Sequence, residues 1–234
     1  MTTAGPSLAV VIPVRNEARR LPLLLADLAQ APAGLVRELV VVDAGSSDGT
    51  PELAQLAGAR VLHSPANRGR QLQLGVAASM APWVLLLHGD ARLCGDWAAV
   101  VQRAQAAAAT AWHFDLAVQG GGLPMRLLEA AVWLRCRLRQ LPYGDQGLLL
   151  PRELLERAGG IAPLALMEDL ELIVRLRGIT AIRSLGRPLR VDGRRWRRHG
   201  VLGSAWRNRQ LRQAWRRGCD PGELARRYYG PRGG

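Results

Sequence analysis

Leu8-Ala9-Val10-Val11-Ile12-Pro13-Val14-Arg15-Asn16-Glu17, and after it Leu39-Val40-Val41-Val42-Asp43-Ala44-Gly45-Ser46-Ser47-Asp48-Gly49-Thr50-Pro51-Glu52, decide the architecture of this chain. Each is an unbroken, β-branched apolar run that ends abruptly in a polar turn. A run apolar at every position suits a strand buried on both faces of a parallel sheet, whereas a half-exposed strand would alternate. Residues 83–87 read the same way, and 60–63 are a short β-branched run between Arg60 and His63. Helical periods separate the runs. Leu21, Leu24, Leu25 and Leu28 sit at i, i+3, i+4 and i+7. A second helix is expected with Thr50 as N-cap, Pro51 at its first position, Glu52 in its first turn and Gly58 as its stop. A third is expected over 70–78. This strand–helix alternation predicts βαβ units and an α/β fold with a mostly parallel sheet.

Beyond residue 90 the pattern loosens. Helices are expected over 97–109, 123–139, 152–158 and 168–177, with strands over 112–118 and 181–185. Residues 201–217 are helical in composition, but their apolar stripe changes phase. Leu202, Ala205 and Trp206 share one face, while Leu211 and Trp215 lie opposite. Either that helix breaks near Asn208 or both faces find partners. A main domain over 1–200 and a basic helical extension over 201–234 are the expected organisation, the extension packed on the domain or on a membrane surface.

A chain of 234 residues with 48% apolar composition can bury a large core. Its three cysteines, Cys94, Cys136 and Cys219, form neither a disulfide framework nor a CxxC zinc motif, and a reducing cytosol is the expected compartment. Apolar runs fall far short of the roughly 20 residues of a membrane span, and the first residues carry no signal-peptide pattern. The net charge of +13 is unevenly placed. Residues 183–234 hold fifteen Arg against three acids, a balance of +12, and the rest of the chain sums to +1. A basic segment of this kind attracts phosphates, whether of a nucleotide, a lipid headgroup or a nucleic acid.

In an open parallel sheet the ligand site lies beyond the carboxyl ends of the strands. There this sequence places Pro13-Val14-Arg15-Asn16-Glu17, the turn from Asp43 to Thr50, Asn67-Arg68-Gly69-Arg70, and His88-Gly89-Asp90. No GxGxxG follows the first strand and no GxxxxGK[ST] occurs, which argues against a dinucleotide oxidoreductase and a P-loop protein. The carboxylates of the Asp43–Thr50 turn would repel phosphate but can accept hydrogen bonds from a base or a ribose.

These blocks, with Gly144-Asp145-Gln146-Gly147, Leu166-Met167-Glu168-Asp169 and Arg194-Arg195-Trp196 further on, resemble glycosyltransferase family 2, of the GT-A fold. Within it they resemble the small bacterial enzymes called radical-SAM/selenodomain-associated transferase 2. The resemblance covers about residues 8–205. Ala44 stands where the family's first block has Gly, and His88-Gly89-Asp90 replaces the usual Asp-x-Asp.

The resemblance implies inverting transfer of a sugar from a nucleotide-diphosphate donor of the UDP or GDP type to a hydroxyl acceptor. It leaves the acceptor open. Glu17, Asp43 and Asp48 match positions that hold the nucleoside, Pro13 shapes their loop, and Arg68 or Arg70 can reach the base or a phosphate. Asp48 stabilising its own turn, and Asn16 capping the first helix, are the competing structural readings. Asp90 is the expected ligand of Mg²⁺ or Mn²⁺, a hard cation bridging diphosphate oxygens, with His199 as a more distant candidate. His88 either assists there or packs. Asp169 is the expected general base and Glu168 its neighbour. Adjacent helical residues point about 100° apart, so one of the two faces the site. Asp145 and Gln146 are candidates for gripping a sugar, and Arg195 and Trp196 for closing over the diphosphate. Three other classes compete. A related nucleotidyltransferase would need a Gly-rich loop after the first strand. A nucleic-acid module would leave the converging acids without a purpose. The Arg/Trp-rich segment after 201, and the helix over 123–139, suit an anionic lipid surface at the inner face of a membrane or ordinary packing alike.

Overall fold

A computed structural model describes residues 6–107, 109–120 and 122–230, except the side chains of Arg195, Arg198 and His199. Eight strands form one sheet in the order β3-β2-β1-β4-β7-β6-β8-β5. β1 (Leu8–Val14) lies at its centre, parallel to β2 (Val36–Asp43) and β4 (Trp83–Leu86), and β3 (Arg60–His63) continues the parallel half beside β2. β7 (Leu148–Pro151) runs antiparallel to β4 and to β6 (Ala111–Gln119), which is parallel to β8 (Ile182–Asp192). β5 (Ala91–Arg92) closes the far edge, antiparallel to β8.

Helices cover both faces, as the continuous apolar strands require. Leu8, Val10, Ile12 and Val14 of β1 join a core with α1 (Leu21–Ala29), α2 (Thr50–Leu56) and α4 (Trp97–Gln105). Val11 faces the other way, onto a core built with α3 (Arg68–Ala77), α6 (Arg152–Arg157) and α7 (Glu168–Arg177). Gly75 lets α3 lie directly on the sheet, since a Cβ there would come within 2.4 Å of Val11 Cγ1. α5 (Leu123–Arg139) packs Met125, Val132 and Cys136 over β6 in a third cluster. The chain ends in the short α8 (Arg194–His199), then α9 (Val201–Arg216) and α10 (Pro221–Tyr229). Leu211, Leu224 and Ala225 of the last two are buried in the core beneath α3 and α7. Among the described residues no helix is long and apolar enough to cross a membrane.

Several expectations change in detail. Gly49, in a left-handed conformation at φ 83°, stands at the N-cap of α2, and Thr50 is the first helical residue. The Thr50 hydroxyl is committed to Asp48 and to the Glu17 amide, so it cannot cap. α3 begins earlier than expected because Asn67 caps it, its Oδ1 accepting the Arg70 N–H at 3.0 Å. Asn16 caps nothing; it sits at φ 55° and accepts the Ser47 N–H. The strand expected over 181–185 extends to Asp192, through Pro188 and past a register shift. α9 does not break at Asn208. Its Leu211 side packs inward, while Leu202 and Trp206 stay exposed.

Candidate functional site

The carboxyl ends of β1, β2 and β4 open into a cleft of about 850 Å³, lined by Pro13, Glu17, Arg68, Gln71, Asp90 and Arg194, and walled by Arg226 and Tyr229 of α10. A smaller compartment of about 220 Å³ adjoins it, lined by Asp145, Asp169, Trp196, Asn208, Arg212 and Tyr228. His88, Asp90, Arg68 and Arg194 line both, so the two meet at the end of β4. The floor of the larger one is braced by Gln71, whose amide donates to the Val14 carbonyl at 3.1 Å and the Val42 carbonyl at 2.8 Å, satisfying two strand ends at once.

Glu17 ends the β1 turn and is gripped by Arg20 at 3.0 Å and by Arg194 at 3.2 Å. Burial and the nearby Asp90 nevertheless raise its carboxyl above the ordinary value. Arg20 also reaches Asp192 at 2.8 Å, so β1, the end of β8 and α8 are tied by one ionic chain. Asp169 is at the start of α7, where a carboxylate suits the helix dipole. Its Oδ2 accepts the Gly144 N–H at 2.7 Å. Gly144 opens a 3₁₀ turn (Gly144–Gln146), and a side chain there would be tight, because a Cβ on Gly144 would lie 2.9 Å from His88 Nε2 and 3.1 Å from Asp169 Oδ2. Asp145, in the same turn, has a buried Oδ1 with no hydrogen-bond partner, and burial pushes its carboxyl up to about 6.

Other expected residues are placed elsewhere. Glu168 is not beside Asp169 in the compartment. It lies beneath the floor, only 1% exposed, ion-paired with Arg68, and burial raises its carboxyl. Gln146, expected to grip a sugar, is buried and spends its amide on Arg135 and on the Phe114 carbonyl. Asp43 is 1% exposed, and both its oxygens accept from its own turn, from Gly45, Ser46 and the Ser46 hydroxyl. Asp48 likewise accepts from Ala18 and Thr50. These two carboxylates build the loop that shapes the cleft and do not line either compartment. Arg70 is exposed and lines neither. The side chains of Arg195 and His199 lie outside the described residues. Trp196 lines the smaller compartment and packs toward α5.

The sequence reading missed Arg20, Asp192, Asn208, Arg212, Tyr143, Tyr228 and Tyr229. Only Arg20 carried a signal, its i,i+3 spacing from Glu17. Arg212 is half-buried and 5.2 Å from the Tyr143 ring. Burial, with Arg135 and Arg216 close by, pushes its guanidinium below the ordinary value, and no ion pair joins it to a carboxylate among the described residues.

No three His, Cys, Asp or Glu side chains among the described residues make a ready cage for a metal. The donor set still fits a hard divalent cation that brings other ligands with it. Asp90 presents a carboxylate at the junction, it raises both Glu17 and Asp145, and the orphaned Asp145 oxygen lies on the same wall.

An open, mostly parallel sheet with its site at the strand ends, and acids facing arginines across it, defines a GT-A glycosyltransferase fold. The profile of glycosyl transferase family 2 matches residues 9–136, and the chain belongs to that family. Glucosyl-3-phosphoglycerate synthase from Mycobacterium tuberculosis, solved with Mn²⁺, UDP and glucosyl-3-phosphoglycerate, superposes with a TM-score of 0.55 at 25% identity, covering 78% of this chain and 71% of that one. S. aureus TarS superposes with a TM-score of 0.62 over 80% of this chain and 36% of its own; at 17% identity it speaks for the fold alone. A segment of 55 residues is 46% identical to 4,4'-diaponeurosporenoate glycosyltransferase of Staphylococcus haemolyticus, covering 24% of this chain. One of 82 residues is 38% identical to a TPR repeat-containing protein of Synechococcus elongatus, covering 34% of this chain. The chain covers only 14% and 19% of the lengths of those two relatives.

Proposed function

We propose that this protein is an inverting glycosyltransferase that moves a sugar from a nucleotide-diphosphate donor to a hydroxyl acceptor. The observation that carries the reading is the junction at Asp90, where a nucleotide-sized cleft opens beside a compartment holding an anchored carboxylate, Asp169. The larger compartment takes the nucleoside and diphosphate. Glu17 accepts from the nucleoside, and Arg194 and Arg68 face the phosphate oxygens. Asp90 holds Mg²⁺ or Mn²⁺, the metals that M. tuberculosis glucosyl-3-phosphoglycerate synthase carries with UDP. Such an ion stabilises the departing diphosphate as a Lewis acid.

The acceptor enters the smaller compartment. Asp169 takes the proton of its hydroxyl as that oxygen attacks the anomeric carbon. The bond to the diphosphate oxygen breaks on the opposite face, its electron pair leaves with the nucleotide, and the configuration inverts. The Gly144 N–H keeps one oxygen of Asp169 in place and leaves lone pairs for the hydroxyl. Arg212 lines this compartment and, among the described residues, no ion pair joins it to a carboxylate, although it feels the charge of Asp169. An acceptor bearing a phosphate or carboxylate away from its hydroxyl would supply that ion pair.

Titration calorimetry with UDP and GDP, in Mn²⁺ and in EDTA, tests the reading. One nucleotide is expected to bind with metal, and Asp90→Ala to abolish that binding. Asp169→Asn is expected to bind as wild type does but to turn over nucleotide sugar about 10²–10⁴-fold more slowly. A protein that binds no nucleotide under any of these conditions is not this enzyme.

A further inference from the structure

α5 has two opposed apolar faces, and the fold uses one. Met125, Val132 and Cys136 are packed on β6. On the other side Leu123 is 72% exposed, Leu127 63%, Leu134 49% and Leu138 71%. At about 100° per residue these four leucines fall within an arc of roughly 60°, and they run along about 22 Å of helix. Ala130 and Ala131 border this arc, one on each side, and are exposed. Scattered single apolar residues on a surface need no explanation; a continuous ridge does. Of the exposed large apolar side chains among the described residues, half lie on α5 and on α9, which packs against it.

The polar flanks of the ridge identify what covers it. Arg126 and Arg137 are exposed on one side, with Trp133 beyond them and the Arg137 guanidinium 5.3 Å from its ring. Arg139 is exposed at the C-terminal end. The one acid in α5 is Glu129, whose Oε1 accepts the Val118 N–H at 2.7 Å and so belongs to the sheet side. A second copy would therefore bring arginine to arginine with no carboxylate between them, on a chain already carrying +13. Leucine ridge, flanking arginine and interfacial tryptophan together match an anionic membrane surface, where apolar side chains reach the acyl boundary and guanidinium groups meet phosphate.

We propose that the outer face of α5 docks this protein on an anionic lipid bilayer, with the leucine ridge in the headgroup–acyl boundary and Arg126 and Arg137 at the lipid phosphates. The turn carrying Tyr143, Gly144 and Asp145 follows α5 after only three residues, 140–142, so a docked α5 sets the smaller compartment close to the bilayer. The proposal does not depend on the glycosyl-transfer reading.

Flotation of the full chain with vesicles tests it, using phosphatidylcholine alone and phosphatidylcholine mixed with phosphatidylglycerol. The wild type is expected to float with the mixed vesicles and to bind the neutral ones at least about tenfold more weakly. Leu127→Glu/Leu134→Glu is expected to lose on the order of tenfold or more of the mixed-vesicle binding. Arg126→Gln/Arg137→Gln is expected to lose severalfold and to flatten the salt dependence. All four positions are solvent-facing, so thermal melting and nucleotide binding should stay at wild-type values, which separates lost docking from lost folding. The proposal is overturned if the wild type ignores phosphatidylglycerol vesicles or if the leucine variant binds them as well as wild type. It is equally overturned if sedimentation shows a wild-type dimer that the leucine variant abolishes, because the ridge then belongs to a second copy.

Discussion

Asp169 works only if its carboxylate is held still, and two amides hold it: Oδ2 accepts the Gly144 N–H and Oδ1 the Leu170 N–H, each at 2.7 Å. Position 144 favours glycine because a Cβ there would crowd the ends of the His88 and Asp169 side chains, at 2.9 and 3.1 Å. Gly144→Ala is expected to push one of them aside by a few tenths of an ångström, lengthen the amide contact to Asp169, and slow sugar turnover severalfold, less than the cost of a full misplacement of about 1 Å. Nucleotide affinity should change less than turnover, because Asp169 does not line the larger compartment and His88 is one of many residues that do. A fall in affinity equal to the fall in turnover would mean that Gly144 shapes the cleft as a whole. Asp145 makes a separate prediction at this scale. Its carboxyl stands at about 6 in the folded protein against an ordinary 3.8, because burial disfavours the charge. Between those values the native state binds more protons than the unfolded chain, so stability falls as pH rises through that window. Asp145→Asn carries no charge at either end, and the descent should become shallower in its urea midpoints measured in EDTA, with the raised Glu17 and Glu168 carboxyls supplying what remains. Parallel curves for the two proteins would show that Asp145 is ionised and satisfied throughout.

At the scale of elements, the strands and the first three helices were readable because they answer to local rules: β-branched runs, i,i+3,i+4 leucines, a proline at the start of α2. The turns after the strands were readable as a site for the same reason, since loop acids at strand ends have few other uses. What could not be read was which acids face the cleft. Asp43 ends β2 and Glu17 lies in the turn after β1, yet Asp43 accepts from the amides of its own turn and Glu17 reaches across to Arg194. That difference lies in backbone direction, which residue type does not encode. Nor did spacing reveal that α9 and α10 would wall the site, because the contacts of Leu211 and Leu224 are with helices far away in sequence. The placement of α10 supports a further prediction. Leu224 is fully buried and anchors a helix whose Arg226 and Tyr229 line the larger compartment. Leu224→Ala should cost about 3 kcal/mol of stability. It should also weaken nucleotide binding in protein that remains folded. Calorimetry below the unfolding midpoint measures the second effect, and unchanged affinity would mean that α10 only covers the core.

Across the whole molecule, the charge asymmetry of the chain becomes a spatial arrangement. The nearly neutral portion supplies the acids at the strand ends, and the basic portion after residue 183 folds back to face them. Arg194 meets Glu17 at 3.2 Å, and Arg20 of the first portion meets Asp192 of the second at 2.8 Å. Arginines of α8, α9 and α10 stand around a cleft whose opposite wall holds Glu17, Asp90, Asp145 and Asp169. A nucleotide diphosphate entering that cleft exchanges internal ion pairs for new ones and feels the field of the remaining +13. Both contributions are partly exposed to solvent and hence to salt. The screening length shrinks from about 10 Å at 0.1 M to about 3 Å at 1 M, so longer-range attraction fades while direct contacts persist. Nucleotide affinity in excess Mn²⁺ should therefore fall severalfold across that range and then level off. Arg194→Gln should start weaker and show a shallower slope, because one of the charges being screened is gone and Glu17 is released from its partner. A salt-independent affinity in the wild type would place recognition entirely in the metal and the nucleoside, and leave the folded-back arginines only their ion pairs within the fold, such as Arg194 with Glu17.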